Sequence, residues 1–418
     1  MDALMLSLPK DWEAVKVEDI FEIITDFSAA ESFAQQSQMV QYTNDRTNYA
    51  QLIRTTELKN GFNNTNAIYI NKEAFEFLWR VNLNSDAIIL PNIGINCGEI
   101  YYVDIKKLIH KHNALAPNAI LLRTKKANLK FLFYAFLDTW FQKQLINIIT
   151  SSAQPKFTKT DLRDLLIPLP PLNEQSAIAD ILSDVDRYLY SLDALILKKE
   201  SVKKALSFEL LSQRKRLKGF NQAWQRVRLG TYKYRRGSFP QPYGNPQWYS
   251  DNGMPFVQVY DVGENFKLTQ KTKQKISKIA QPMSVFVPKN SVIITLQGTI
   301  GRVALTQYDC YCDRTILIFD NHTLNDVNKY FFVLSLFTKF EEEKRKADGS
   351  IIKTITKQTL KDFEIPLPPL NEQSAIADIL SGLDKKIASL KNKKRQFENI
   401  KKALNHDLMS AKIRVLNK

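Results

Sequence analysis

The stretch Ile167-Pro-Leu-Pro-Pro-Leu-Asn-Glu-Gln-Ser-Ala-Ile-Ala-Asp-Ile-Leu-Ser183 occurs again, letter for letter, as Ile365–Ser381. Seventeen identical residues at an offset of 198 make this chain of 418 an internal duplication. Each copy carries the start signal of a helix. Pro168, Pro170 and Pro171 fix φ and remove N–H donors, so the segment before the helix is extended. Asn173 stands where an N-cap belongs, and Glu174 falls in the first turn, where a carboxylate meets the positive helix end. Apolar residues then recur at Ile178, Leu182, Val185, Leu189, Leu192, Ile196, Val202, Leu206 and Leu210. The second copy repeats them at Ile376, Leu380, Leu383, Ile387, Leu390, Phe397, Ile400, Leu404 and Leu408. Spacings of three and four kept up this long describe a coiled-coil-like seam.

Each helix spans about 40 residues, or roughly 60 Å at 1.5 Å per residue. A seam of that length has to be buried, and the natural partner of each helix is the other. The literal identity fades after Ser183 and Ser381, but Lys-Lys-Ala-Leu returns as 203–206 and 401–404. In this shared register Ile196 corresponds to Lys394 and Lys199 to Phe397. Such traded positions fit an asymmetric interface, or drift where a long lysine stem lies along apolar surface.

The 48.2 kDa chain is 44% apolar and 11% aromatic, which is the composition of a folded protein of two or three domains. No run of eighteen apolar residues suggests a membrane span, and Met1-Asp2-Ala3 does not open a secretory signal. Three cysteines without framework spacing point to a reducing, cytoplasmic setting. Net charge is +16, which favours an anionic partner such as nucleic acid. The charge is uneven. Residues 1–172 carry 18 basic and 18 acidic residues, 173–218 carry 9 and 7, 219–370 carry 21 and 13, and 371–418 carry 11 and 5.

Between the repeats lie two diverged globular stretches with the same order of elements. The first opens at Leu8–Val17 around Trp12, with strands expected at Gln51–Thr56, Asp86–Pro91 and Ala119–Leu122. A turn at Asn92–Gly98 and one aromatic helix from Leu129 to Ile148 complete it. The second echoes it with Ala223–Leu229 around Trp224, then Pro255–Tyr260, Ser291–Thr295, a turn at Gln297–Arg302, Thr315–Phe319 and a helix around Tyr330–Phe340. This gives an α+β chain of two globular α/β domains separated by two long helices that pair as a coiled coil, with internal duplication. The expected boundaries are 1–157, 158–218, 219–355 and 356–418.

Catalytic constellations are not apparent. There is no Gly-x-x-x-x-Gly-Lys phosphate loop, and Gly298-Thr-Ile-Gly301 between two strands reads as a β-turn. Cys310 and Cys312 lack zinc spacing and read as buried strand residues; His110 and His112 read as solvated. The acidic residues show no paired acid–base cluster. We therefore expect no catalytic residues and no metal or cofactor bound by this chain.

Pro-Leu-Pro-Pro-Leu-Asn-Glu-Gln, occurring twice before long helices, together with Val-Ile-Ile-Thr-Leu-Gln-Gly-Thr-Ile-Gly at 292–301, resembles the specificity subunit of type I restriction–modification enzymes. The resemblance covers the whole chain. It implies two target recognition domains separated by the two helices in an antiparallel coiled coil, with an internal pseudo-twofold duplication, each domain reading one half of a bipartite asymmetric site in double-stranded DNA and helix length setting the spacer. It also implies two modification subunits, which methylate adenine with S-adenosylmethionine, and two restriction subunits using ATP and Mg. The first domain departs from the pattern, with Pro91–Gly98 in place of the Gly-Thr-Ile-Gly turn. A scaffold joining two protein-binding modules is the alternative reading, and a self-contained methyltransferase lacks its Asn-Pro-Pro-aromatic motif.

Phosphate contacts call for Lys and Arg, and base contacts for Arg, Asn, Gln, Thr and Tyr. The candidates in the first domain are Arg46, Arg54, Thr55, Lys59, Asn92 and Asn96. Those in the second are Arg235, Arg236, Gln258, Tyr260, Lys271, Lys273, Gln297, Thr299 and Arg302. Arg54 and Gln258 occupy matching positions. Tyr232-Lys-Tyr-Arg-Arg236 interleaves aromatics with cations, as a backbone-tracking loop would. Pro170, Asn173, Glu174 and Gln175, repeated as Pro368, Asn371, Glu372 and Gln373, are the candidate surface on which two copies of one partner dock.

Overall fold

A computed structural model describes residues 8–29, 33–62, 66–150, 153–298, 300–346 and 360–415. The chain divides into two compact units, Met1–Asp193 with Asn392–Lys418, and Ala194–Lys391.

In the first unit β1 (Glu13–Lys16) pairs antiparallel with β9 (Leu166–Leu169), the strand that leads into the first long helix. A four-stranded sheet has the order β2 (Ile23–Asp26), β8 (Ala119–Arg123), β5 (Ala87–Pro91), β6 (Tyr101–Val103). A second sheet orders β4 (Ile68–Ile70), β3 (Ala50–Ile53) and β7 (Asn113–Leu115), with β3 and β7 parallel. The run Ala-Ile-Ile-Leu of β5 is apolar throughout because both of its faces are covered. Ile88 and Leu90 meet the core of Phe131, Phe136 and Phe141, while Ala87 and Ile89 meet the core under β3 and β7.

The second unit repeats this plan. β10 (Gln225–Arg228) pairs with β19 (Glu364–Leu367) ahead of the second long helix. One sheet orders β11 (Tyr234–Arg236), β18 (Ile316–Phe319), β15 (Val292–Thr295) and β16 (Val303–Leu305). The other orders β13 (Gln274–Ile276), β12 (Tyr249–Val257), β17 (Cys310–Cys312) and β14 (Val285–Val287), with β12 and β17 parallel. Strand β15 again divides two cores, Val292 and Ile294 on one side and Ile293 on the other. Cys310 and Cys312 are both buried on β17.

Three expectations are corrected by local chemistry. The strand expected over Gln51–Thr56 stops at Ile53, and Thr55–Asn60 is helical. The aromatic helix breaks at Asp138, which is extended and caps Trp140 N at 3.0 Å, giving Leu129–Leu137 and Thr139–Ile148. Strand β12 ends at Val257, so Gln258 and Tyr260 belong to the turn that follows.

The long helices run Leu172–Leu211 and Leu370–Met409, 40 residues each at an offset of 198. Asn173 therefore lies inside the first turn, not at the cap. Within each unit the helix segments pair antiparallel. Asp186–Lys401 (2.5 Å) and Asp193–Lys394 (2.7 Å) join them in the first unit, Lys203–Asp384 (2.5 Å) and Glu200–Lys391 (2.6 Å) in the second. The seam passes through Lys203 and Lys401, while Val202 and Ile400 are 44% and 53% exposed. Six residues beyond Ile196 is about 120° off the seam, whereas seven restores the phase. The traded positions have local partners: Lys394 pairs with Asp193, and Phe397 packs on Tyr188 at 4.7 Å between ring centroids.

Candidate nucleic-acid interface

In the second unit, β12 delivers its last residues into a turn built on one buried carboxylate. Asp261, 2% exposed, accepts hydrogen bonds from Gln258 N (2.9 Å), Lys273 N (2.9 Å) and the Thr269 hydroxyl (3.4 Å). Burial pushes its pKa above the ordinary value, and these donors offset that only in part. Around it, Tyr260 OH donates to Gln258 Oε1, and Lys273 Nζ sits 5.0 Å above the Tyr260 ring. Thr269, Lys271 and Lys273 are exposed on the adjoining loop. The half-buried Gln258 thus comes together with the exposed Tyr260 and Lys273, and Lys271 is exposed on the same loop.

The turn between β15 and β16 lies beside this patch. A Cβ at Gly298 (φ +71°) would stand 3.6 Å from Val259 Cγ2. Arg302 donates to Val262 O (3.2 Å) and pairs with Glu264 (2.8 Å), while Gln297 is exposed. Thr299 lies outside the described residues. Within the run at Tyr232–Arg236, the last three residues form the edge strand β11: Tyr232 packs on Phe332 and Tyr234 on Phe319, leaving Arg235 and Arg236 exposed. Arg235 and Lys233 border a cleft of about 630 Å³ with His322 and Asp320.

The first unit places Arg54 at the matching point, but its chemistry differs. Arg54 is turned inward, donating through Nε (3.0 Å) and Nη2 (2.6 Å) to the buried Glu57 and through Nη2 to Asn66 O (2.9 Å). Glu57 also accepts from Arg54 N at 2.9 Å, the counterpart of the Asp261–Gln258 bond. Burial would raise the Glu57 pKa, yet the Arg54 guanidinium and backbone donors hold it below the ordinary value. Lys59 pairs with Glu99 (2.7 Å) and donates to Asn96 (2.6 Å), so this corner is locally neutralised. Thr55 is half-buried and Arg46 exposed. Asn92 is not a candidate reader: it is 9% exposed, its amide donates to Phe157 O at 3.1 Å, and its backbone holds the same segment.

A carboxylate four residues beyond a strand end, bonding back to the backbone three residues before it, was a readable signal for Glu57 and Asp261. Composition marks neither, because a lone carboxylate resembles ordinary surface.

The repeated Asn-Glu-Gln segments are also corrected. Glu174 and Gln175 are 2% and 3% exposed, Glu372 and Gln373 are each 1% exposed, and Pro170 and Pro368 are buried. Their polar groups are used internally. Glu174 accepts from Trp12 Nε1 (3.2 Å), Arg414 Nε (2.7 Å) and Arg414 Nη2 (2.9 Å), and Arg414 reaches on to Asp11 (2.7 Å). Glu372 accepts from Trp224 Nε1 (3.1 Å), Arg216 Nε (3.2 Å) and Arg216 Nη2 (2.6 Å). Gln175 and Gln373 each accept from an asparagine backbone N–H, at Asn128 and Asn328, both at 2.9 Å. Identity here is explained by two equivalent clasps between helix and head. Only Asn173 and Asn371 of the eight remain exposed.

Two heads on one plan, clasped alike and differing where side chains face out, fit a family described as the type I restriction modification DNA specificity domain, whose model matches residues 9–200 and again 241–399. The chain belongs to this family. It is 28% identical to the putative type I restriction enzyme MjaX specificity subunit of Methanocaldococcus jannaschii, over 98% of this chain and 95% of that protein. It is 25% identical to the MjaVIII specificity subunit of the same organism, over 99% and 95%. The crystal structure of a type I restriction–modification S subunit from M. genitalium shares its fold, with a TM-score of 0.59 and 16% identity over 96% of this chain and 97% of that one. As a type I specificity subunit the chain is a DNA-recognising component and not a catalytic one. Among the described residues, no helix is long and apolar enough to cross a membrane.

Proposed function

We propose that each head reads one half of a bipartite, asymmetric site in double-stranded DNA and that the two long helices set the spacer between the halves. The observation that carries this is the contrast between the two turns at equivalent strand ends. One is Arg54 locked on Glu57; the other presents Gln258, Tyr260 and Lys273 around Asp261. Two copies of one plan with different outward chemistry are what two different half-sites require.

The chain works with modification and restriction subunits, two of each in this reading, on which S-adenosylmethionine, ATP and Mg act. Docking of the modification subunits falls to exposed parts of the long helices, since Glu174, Gln175, Glu372 and Gln373 are buried. The phosphate contacts come from Arg46, Arg235, Arg236, Lys271 and Lys273, all exposed.

The test is a methylation map. The chain is expressed with its modification subunit in a methylation-free host, and N6-methyladenine is located across the genome. The expected result is one bipartite motif with a fixed gap, of which exchanging residues 219–355 changes one half only. Absence of methylation from a soluble, associated complex would refute the reading.

A further inference from the structure

In the second head, one buried carboxylate ties together every outward group of the β12 turn. Among the described residues no cation forms a salt bridge with Asp261; its hydrogen-bond partners are two backbone N–H groups and a hydroxyl, drawn from three separate points: Gln258, Thr269 and Lys273. A second thread runs outside it. Thr269 N donates to Asp261 O (2.9 Å), and Tyr308 OH, from the connection between β16 and β17, donates to Thr269 O (2.8 Å), fixing the loop at its other end. Tyr260 then holds Gln258 from above, its hydroxyl on Oε1. With Oε1 occupied, the Gln258 amide nitrogen is the group left to donate outward, and no partner holds it among the described residues.

We propose that Asp261 is the positioning residue of second-half-site recognition, acting with the Tyr260 hydroxyl to present the Gln258 amide N–H to an acceptor on a base edge while aligning Lys273 with the adjoining phosphates. This deepens the half-site reading proposed above and rests on it. Gln258 touches the base; Asp261 and Tyr260 act through it. The charge-free partner set explains why an aspartate stands here: its two oxygens accept from Gln258 N on one side and from Lys273 N and Thr269 on the other, which an amide cannot do. Asp261→Asn keeps the shape, but its NH₂ group faces one of these donors. One anchor is lost and two N–H groups are set against each other.

The experiment uses the full chain with its modification subunit. Methylation rates are measured on duplexes carrying the mapped site and on single-base variants of each half. Asp261→Asn is expected to reduce discrimination within the second half by about tenfold or more, leaving first-half discrimination and gap length unchanged. Tyr260→Phe keeps the ring under Lys273 and removes only the hydroxyl, so it tests the same idea without loading the fold; it is expected to give a smaller loss at the same base position. In an Asp261→Asn background, Gln258→Ala should add little, because the two act in series. A merely structural aspartate would lower binding to all sequences equally and leave the discrimination ratios intact; that result overturns the proposal, as does full discrimination by both variants. If wild-type protein yields no bipartite motif at all, the half-site reading itself has failed, which is a different outcome.

Discussion

Arg414→Ala isolates the clasp that closes the first unit. The substitution removes two hydrogen bonds to Glu174 (2.7 and 2.9 Å) and two to Asp11 (2.7 and 3.3 Å). Glu174, whose side chain is 3% exposed in the parent, is then left with one donor, Trp12 Nε1. Stranding a buried charge in this way costs about 3–5 kcal/mol. Arg414 is itself 29% exposed, so water reaches the vacated site and the cost falls to about 2–3 kcal/mol. For a unit of this size each kcal/mol lowers the midpoint by about 2–4 °C, so calorimetry should show a drop of roughly 5–10 °C. Arg216→Ala should do the same through Glu372 in the other unit. Glu174→Gln combined with Arg414→Ala should cost less than the two single losses added, since no stranded charge remains. A shift below about 1 °C for Arg414→Ala would refute the reasoning, because it would mean that Glu174 is already solvated.

Other tests reach the reading surface, the seam and the pH response. Gln258→Ala should change recognition at one half-site alone, whereas Lys271→Ala should weaken binding to every sequence and lower the salt slope by about one; equal losses from both in binding titrations would overturn the division of labour. Val202→Ser and Ile400→Ser should stay within about 0.5 kcal/mol of the parent in urea unfolding, since both are exposed. Asp186→Ala, which removes the ion pair with Lys401 and leaves the Tyr134 hydroxyl with Ser183 alone, should cost about 1–2 kcal/mol. Glu57 has a folded pKa below its unfolded one, so its contribution is complete above the ordinary carboxylate value and disappears as pH falls through the folded value. The stability gap between parent and Glu57→Gln should therefore shrink in acid; a gap that widens would reverse the assignment.

The frame of this protein is written plainly in its residues, and the reading surface is not. The repeat, the helix lengths, the Trp12 and Trp224 openings and the buried strands β5 and β15 all follow from periodicity and identity, because a strand covered on both faces must be apolar throughout. Arg54 shows where that stops. A strand-end arginine in a DNA-binding domain looks like a reader, and the fold turns it inward onto Glu57. The Asn-Glu-Gln repeat misled in the opposite direction: polar residues repeated twice look like surface, but here they satisfy one another inside a clasp. The seam failed at a single position, Val202 and its copy Ile400, where an apolar side chain lies one residue away from the lysine that continues the phase.

Each long helix divides between the two units, its first half serving one and its second half the other. An unequal crossover between the two identical seventeen-residue segments would remove 198 of the 418 residues in frame and leave one head on one uninterrupted helix. Such a helix cannot fold back to supply both antiparallel halves of its own unit. A second copy would have to lend the missing half, and the retained Lys401 of each chain would then face the retained Asp384 of the other, in place of the Asp186–Lys401 and Lys203–Asp384 pairs. The resulting homodimer would carry two identical heads, and an asymmetric address would become a palindrome.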